Sequence, residues 1–163
     1  MNVKSEYYQS VNNIVDSRME RLHTALPVIV EKYDSDKRTV NAVPAIKVKM
    51  GNNTYKQLPV ITGVPVAFGG TSKLVIHYPI EKGDTGAVIF FERDVSEWLI
   101  SGDISKVGSV RMHSLSDGFF IPGIYSEKNI PKSGDGLYIE YEGAKIKISG
   151  GEVDINDGAL NVS

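Results

Sequence analysis

Apolar and polar side chains alternate along the C-terminal stretch from Gly136 to Ser163. A period of two residues predicts β-strands, and here one set of positions is apolar while the other is nearly all polar. Glycines separate the units at intervals of seven or eight residues, where turns need a positive φ. Short strands at a fixed spacing predict a β-solenoid or an intertwined β-helix.

The predicted apolar face needs a cover that the repeat does not supply. Eight of its side chains are large aliphatics, whose burial would stabilise by roughly 12 to 24 kcal/mol at about 1.5–3 kcal/mol each. Four short strands leave this face and their edges open, whereas identical copies around a symmetry axis cover one another. We therefore predict a homotrimeric β-helical shaft; the alternative is a meander that packs on the upstream domain. The predicted trimer core is Leu137, Ile139, Tyr141, Ile146, Ile148, Val153, Ile155, Leu160 and Val162.

A second periodicity, with apolar residues three and four positions apart, predicts an N-terminal helix from about Ser5 to Leu22. Basic residues near its end complement the helix dipole, and Pro27 prevents its continuation. Such a helix either docks on a neighbouring protein or lies on its own domain. Its apolar side is formed by Val11, Ile14, Val15 and Leu22, with the stem of Arg18.

The region between residues 26 and 91 changes to short alternating segments separated by Gly- and Asp-rich turns. Several antiparallel strands within so short a stretch predict a small barrel of the OB type. Pro44, Pro59 and Pro65 fit strand edges or bulges. The predicted strand segments are residues 27–33, 39–49, 54–58, 59–61, 64–68, 74–78 and 86–91.

The next region predicts a short helix at Asp94–Ile100, with Val95, Trp98 and Leu99 packing over a barrel end. A turn rich in Ser, Asp and Gly then leads into a last barrel strand that ends near Gly123. The fold class is thus mainly β: an N-terminal helix, an OB-type barrel and an intertwined trimeric β-helix. The predicted boundaries are a helical segment at 1–24, the barrel at 25–125, a linker at 126–136 and the shaft at 137–163.

The composition of the 163-residue chain narrows its function classes. A formal net charge of −2 gives no support for binding nucleic acid through bulk electrostatics. The absence of cysteine excludes disulfides and thiolate metal sites. No stretch approaches the ~18 apolar residues of a membrane-spanning helix.

Candidate catalytic groups are present, but their spacing favours structural roles. His113, Ser114, Ser116 and Asp117 contain the residue types of a hydrolase triad, yet such groups usually come from separate segments. We interpret this cluster as a turn in which Ser and Asp bond local backbone amides. The acidic residues Glu92, Asp94 and Glu97 are interpreted as a solvated face and not as an acid/base pair.

Candidate ligand sites are equally weak. Two Gly-rich segments, 69–73 and 134–136, lack the order or the following helix of a phosphate loop. His23, His77 and His113 lack local metal-ligand spacing. We therefore expect no enzyme activity, no cofactor and no specific nucleic-acid partner.

Several segments taken in order resemble the N-terminal region of the membrane-puncturing central spike of contractile-tailed phages. They are Leu22–Val30, Leu58–Ile61, Val64–Val66, Gly83–Gly86, the segment around Trp98, and His113–Gly123. The resemblance covers roughly residues 20–125. It implies an OB-fold domain above a trimeric β-helix at the centre of the tail baseplate. The implied role is mechanical, because contraction of the sheath drives the spike through the host envelope.

The chain departs from that family in one respect. Family spikes often end in an apex where a His-x-His arrangement holds iron on the three-fold axis, and this sequence contains no such pair. We expect either that the tip belongs to another protein or that this shaft is short and blunt. It also lacks the lysozyme-like domain that some relatives carry.

The resemblance also implies partners and a location. We expect hub proteins above the homotrimer, transient contact with the host envelope, and assembly in the host cytoplasm into the virion tail baseplate. The alternatives are an OB-fold module that binds protein or nucleic acid, and the spike of a related bacteriocin or secretion device.

Overall fold

A computed structural model of the chain contains two compact units, Met1–Tyr125 and Ser126–Ser163. The described residues are 3–20, 22–50, 53–74, 76–131, 134, 136–158 and 160–162.

The first unit begins with helix α1, Val3–Met19. It starts and ends slightly before the predicted bounds. It ends at Met19 because the chain then enters a tighter turn, in which the Leu22 N–H bonds the Met19 carbonyl oxygen at 3.1 Å. Glu6 in the first turn and Arg18 in the last turn both oppose the partial charges of the helix ends. Residues 6–20 are exposed along their whole length.

An antiparallel sheet follows, with strands in the order β5-β2-β1-β6-β7. A separate two-stranded hairpin, β3 with β4, lies between β2 and β5 in the chain. The sequence of the first hairpin explains its turn, since the Asp34 carboxylate accepts the Lys37 N–H at 3.0 Å. The strands are β1 Ala25–Asp34, β2 Thr39–Pro44, β3 Lys47–Lys49, β4 Tyr55–Gln57, β5 Ile61–Pro65, β6 Thr85–Phe90 and β7 Gly118–Pro122.

The sheet curls into a half-barrel whose two edge strands approach each other. Register shifts occur between Val30 and Lys32 in β1 and between Val40 and Ala42 in β2, and such irregularities bend strands. Just after β5, Val66 forms a parallel bridge with Phe120 of β7. The Ala67 N–H donates to the Phe120 carbonyl oxygen at 2.8 Å. The curl thereby gives the inner face a closed core.

Alternate residues of these strands fill that core. The burial patterns of β2 and β6 have the period of two that their sequences predict. Phe120 is fully buried. Gly86 on β6 leaves room for its ring, and Gly118 on β7 leaves room for neighbouring core side chains. The buried apolar residues are Leu26, Val28, Val30, Val40, Ala42, Ile61, Val64, Ile80, Val88, Phe90 and Phe120.

One predicted strand is wrong. The described residues of 74–78 alternate apolar and polar side chains but lie in a loop. Local bonds fold this loop on itself, from the Thr71 N–H to the Leu74 carbonyl oxygen and from the Ile76 N–H to the Gly69 carbonyl oxygen. Leu74 and Ile76 stay exposed because no neighbouring strand among the described residues pairs with them.

The short helix between β6 and β7, α2 Ser96–Ser101, also differs from its prediction. All six residues of α2 are exposed, Trp98 and Leu99 among them, so the helix does not seal a barrel end. It ends at Gly102, whose left-handed conformation lets its N–H bond the Trp98 carbonyl oxygen.

The second unit contains a 3₁₀ turn at Glu127–Asn129 and a sheet with the order β11-β10-β9-β8. Each strand pairs antiparallel with the next, so one chain forms a meander of hairpins. The trimeric β-helix stays a prediction, and Ser163 lies outside the described residues. The strands are β8 Leu137–Tyr141, β9 Ala144–Ser149, β10 Glu152–Ile155 and β11 Leu160–Val162.

The contact between Gly86 and Phe120 generates a stability prediction. A Cβ atom at Gly86 would overlap the Phe120 ring and the Ile121 carbonyl oxygen, and the backbone of β7 cannot move aside cheaply. We expect Gly86→Ala to lower the free energy of unfolding by about 1–3 kcal/mol or more. Gly69→Ala is the matched control, because a Cβ there meets open space. Denaturant titrations followed by tryptophan fluorescence measure both, and equal midpoints would contradict the packing described.

Candidate functional site

The cross-strand register of β8–β11 gathers the predicted trimer core on one face of the sheet, called here the shaft face. One row follows the pairs Leu137–Ile148, Ile148–Val153 and Val153–Val162. The next row follows the pairs Ile139–Ile146, Ile146–Ile155 and Ile155–Leu160. Tyr141 pairs with Ala144 at the end of the first hairpin. Residues directly opposite in a sheet share a face, so these rows are continuous.

No described residue of the second unit covers the shaft face. Leu137, Ile139 and Leu160 are 58%, 60% and 54% exposed, and Tyr141, Ile146 and Ile148 are also exposed. Val153 and Ile155 are half-buried by their neighbours. Val162 is described through its backbone pairing, and its side chain lies outside the described part of the chain. An apolar surface of this kind indicates an interaction site.

The opposite face of the same sheet carries polar groups that already bond one another. Lys145 forms an ion pair with Asp157 at 2.7 Å, and this hydrogen bond raises the pKa of Lys145. The Lys147 ammonium lies 5.5 Å from the centre of the Tyr138 ring. Exposed pairs of this kind add little stability. They do show that this face is polar. The apolar shaft face is therefore the one whose burial would be favourable.

Tight turns fix this register. Glu142 and Gly143 have φ values of 49° and 86°, and Gly150 and Gly151 have 59° and 87°. Positive φ at both central residues is typical of the two-residue hairpin turns that match strand twist. Since a slip by one residue would move every side chain to the other face, these turns keep the apolar rows together.

A buried charge network holds the loops at one end of the first unit. Arg111 forms ion pairs with Asp94 and Asp117, each at 3.0 Å, and both carboxylate side chains are 3% exposed. Ser109 and Ser96 each donate a side-chain hydrogen bond to Asp94 at 2.6 Å. These hydrogen bonds, Ser109 first, and the nearby Arg111 charge hold the pKa of Asp94 well below its usual value. Asp117 in turn raises the pKa of Arg111.

The network corrects the interpretation of two candidate residues, Asp94 and Asp117. Asp94, interpreted from the sequence as part of a solvated acidic face, is buried. Asp117, interpreted as bonding backbone amides, takes both Arg111 Nε and Nη2 on its carboxylate. The Ser114 hydroxyl does accept the Ser116 N–H at 3.3 Å, as the turn interpretation expects. Sequence reasoning missed Arg111, because nothing local marks it as the group that joins two carboxylates.

The other candidate residues do not form one site among the described residues, although the His23 N–H bonds the His113 carbonyl oxygen. His113 Nδ1 is buried and makes no hydrogen bond within the described residues. The His23 ring is tilted against the Phe90 ring, with ring centres 5.8 Å apart. Partial burial lowers the pKa of His23. His77 packs against Phe68 instead. In the part of the chain that the structure describes, no His, Asp and Glu side chains gather into a set that could hold a metal ion.

A second apolar surface borders α2. Phe91 lies between two aromatic neighbours, with ring centres 6.1 Å from Trp98 and 5.2 Å from Phe119. The concavity has a volume of about 380 Å³ and is open to solvent. We call it the Trp98 groove. It is lined by Pro65, Val66, Ala67, Phe91, Trp98, Leu99 and Phe119.

A comparison with protein families identifies the first unit. The family described as the phage protein Gp138 N-terminal domain matches residues 26–123, which is more than half of the chain. The chain belongs to this family. The Gp138 N-terminal domain here begins within β1 and ends just after β7, so it contains the sheet, the charge network and the Trp98 groove. Helix α1 and the shaft face lie outside the match.

The family assigns the chain to phage proteins and supports a structural component of the virion. No curated protein matches the sequence. Neither helix among the described residues is long and apolar enough to cross a membrane.

The charge network of the Gp138 N-terminal domain predicts a pH dependence. The pKa of Asp94 is lower in the folded chain than the unfolded value of about 3.9, so the unfolded state binds more protons when the pH falls. The stability that Asp94 supplies is therefore present above the unfolded pKa and is lost toward the lower folded pKa. We expect the melting temperature of the wild-type chain to fall more than that of Asp94→Asn between about pH 6 and about pH 3.

Asp103→Asn is the matched control, since Asp103 is exposed and lies outside the network. Its acid profile should follow that of the wild-type chain. Parallel profiles for wild type and Asp94→Asn would show that the Asp94 carboxylate is not stabilised by its neighbours.

Proposed function

We propose that this phage protein is a central spike of a contractile tail baseplate, in which three copies wind their C-terminal strands into one stiff shaft. The observation that carries the proposal is the shaft face: two continuous apolar rows lie exposed on one side of β8–β11, while the other side is polar and internally bonded. Copies of the same face are its best cover, because each buries the rows of the others.

The number of copies rests on different support. Two such sheets face to face would also cover the rows, as in a sandwich. The three-fold arrangement comes from the resemblance of residues 20–125 to contractile-tail spikes, and the membership in a phage protein family agrees with it. We therefore propose a trimer.

The strand order of the first unit supports the OB-type barrel of such spikes. In chain order its sheet strands are β1, β2, β5, β6 and β7, and the sheet order is β5-β2-β1-β6-β7. The parallel bridge between Val66 and Phe120 then joins the last strand to the third. A five-stranded, partly open barrel of this connectivity fits the OB architecture.

The proposed role is mechanical and not catalytic. Contraction would push along the shaft axis, and a shaft of three interlocked sheets resists bending because every strand is paired and every apolar row is buried. Hub proteins would hold the barrel end, and a separate tip protein or the blunt shaft itself would meet the host envelope. The same arrangement would serve a related bacteriocin or secretion device.

The shaft face generates the deciding prediction. Ile146→Asp with Ile148→Asp places two carboxylates in the centre of the apolar rows, where burial of unpaired charges is costly. We expect this double variant to be monomeric, with a mass near 17.9 kDa, and the wild-type chain to have three times that mass. Light scattering coupled to size exclusion measures both.

Lys145→Gln with Lys147→Gln is the matched control on the opposite face of the same strand. It changes the net charge by the same amount as the test variant, sets no like charges opposite each other across the strands, and leaves the side chains of the shaft face unchanged. This control should remain trimeric. A trimer that survives the Ile146 and Ile148 changes, or a wild-type chain that is monomeric, would refute the proposed function.

A further inference from the structure

Helix α1 carries an apolar face that no other described residue covers. At 3.6 residues per turn, the large apolar side chains between residues 6 and 19 fall within an arc of about 140°, and the remaining arc of this stretch is polar. Ile14 and Met19 are 63% and 62% exposed. The face consists of Tyr7, Tyr8, Val11, Ile14, Val15 and Met19, and the stem of Arg18 lies among them.

A helix with an exposed apolar face is stabilised by packing that face against another surface. Isolated helices of this length are marginally stable in water, and most helical stability in proteins comes from packing an apolar face. An arc of about 140° is wider than the narrow seam of a coiled coil and fits a helix that lies in a groove. The width of the face therefore argues against three α1 helices that pack only on one another.

The connection between α1 and the sheet is anchored. The His23 N–H bonds the His113 carbonyl oxygen at 3.3 Å, and the Phe90 N–H bonds the Thr24 carbonyl oxygen at 3.0 Å. These bonds begin a few residues after the helix ends at Met19. The chain is thus bonded to the first unit a few residues after α1, and the apolar face of the helix is exposed.

The same chain offers a surface that matches this face. The Trp98 groove is lined almost entirely by apolar atoms, and Trp98 and Leu99 at its rim are 47% and 51% exposed. Its sequence neighbours also suit α1 in charge. Glu97 precedes Trp98 and is exposed, whereas Glu92 already pairs with Arg93. The cation within the apolar arc of residues 6–19 is Arg18.

We propose that α1 of one copy lies in the Trp98 groove of a neighbouring copy. The inference rests on the proposed function, since it requires more than one copy around an axis. It adds a second interface, made by the barrels and helices, to the one made by the shaft face. Each copy then gives a helix to one neighbour and receives a helix from the other, which closes a ring of three.

Trp98 is the single tryptophan of the chain and reports directly on the groove. In the full-length wild-type chain we expect it to be shielded from acrylamide and to emit at short wavelength. Ile14→Asp with Val15→Asp should shift the emission to longer wavelength and increase quenching, because the helix leaves the groove. Gln9→Asp with Asn13→Asp adds the same charge to the polar arc of α1 and should behave as wild type. A Trp98 that is equally quenched in all three proteins would overturn the proposal.

Cross-linking identifies which helix fills the groove. Because the chain has no cysteine, one population can carry Val15→Cys and a second population can carry Leu99→Cys without background reaction. A short bismaleimide linker should join the two after co-expression and give a species of twice the chain mass. Ser10→Cys, on the polar arc, replaces Val15→Cys as the control and should give no such species.

The remaining outcomes separate the two proposals. A cross-link confined to single chains that carry both cysteines would overturn the exchange between copies, and so would a link between two Val15→Cys chains. Complete absence of cross-links in a chain that light scattering shows to be trimeric would overturn this inference and leave the proposed function standing. A monomeric wild-type chain would remove both.

Discussion

An apolar sheet face that one chain cannot bury is the constraint on which the second unit depends. Its residues come from four consecutive strands. No single strand can move its apolar side chains to the other face without breaking its register with the neighbouring strands. The tight turns with positive φ prevent such a slip, and they fix the same face in every copy. The sequence features that form the sheet thus also create the apolar face on which the proposed association rests.

The first unit solves the corresponding problem internally. Its sheet bends at two register shifts until the edge beside Val66 reaches Phe120, and the inner side chains then bury one another. The loops that leave this half-barrel are held by Arg111 between two buried carboxylates. Ion pairs of this kind are weak evidence of stability. They do join the segment that precedes α2 to the segment that leads into β7, and α2 and β7 both line the Trp98 groove.

Local periodicity in the sequence was sufficient for much of this architecture. The alternation in residues 137–162 predicts the strands of the second unit and the side chains that share a face, because a period of two has one structural meaning there. The same alternation in residues 74–78 misleads, since a strand also needs a neighbour to bond, and pairing partners are a property of the fold. The exposure of Trp98 and Leu99 was missed for a similar reason: their apolar character predicts packing, but the sequence does not say whether the contact lies within the chain. The role of Arg111 depends on its contacts with Asp94 and with Asp117, which lie 23 positions apart in the sequence.

The hairpin turns of the meander have a consequence for the dimensions of such a protein. Neighbouring strands lie about 4.8 Å apart, so the insertion of one hairpin lengthens the stacked sheet by roughly 10 Å. Because a hairpin adds two strands, the inward and outward positions keep their alternation, and no residue elsewhere has to change. The length of the stacked sheet can then change in fixed steps when a short glycine-bounded unit is duplicated. The first unit need not change with it.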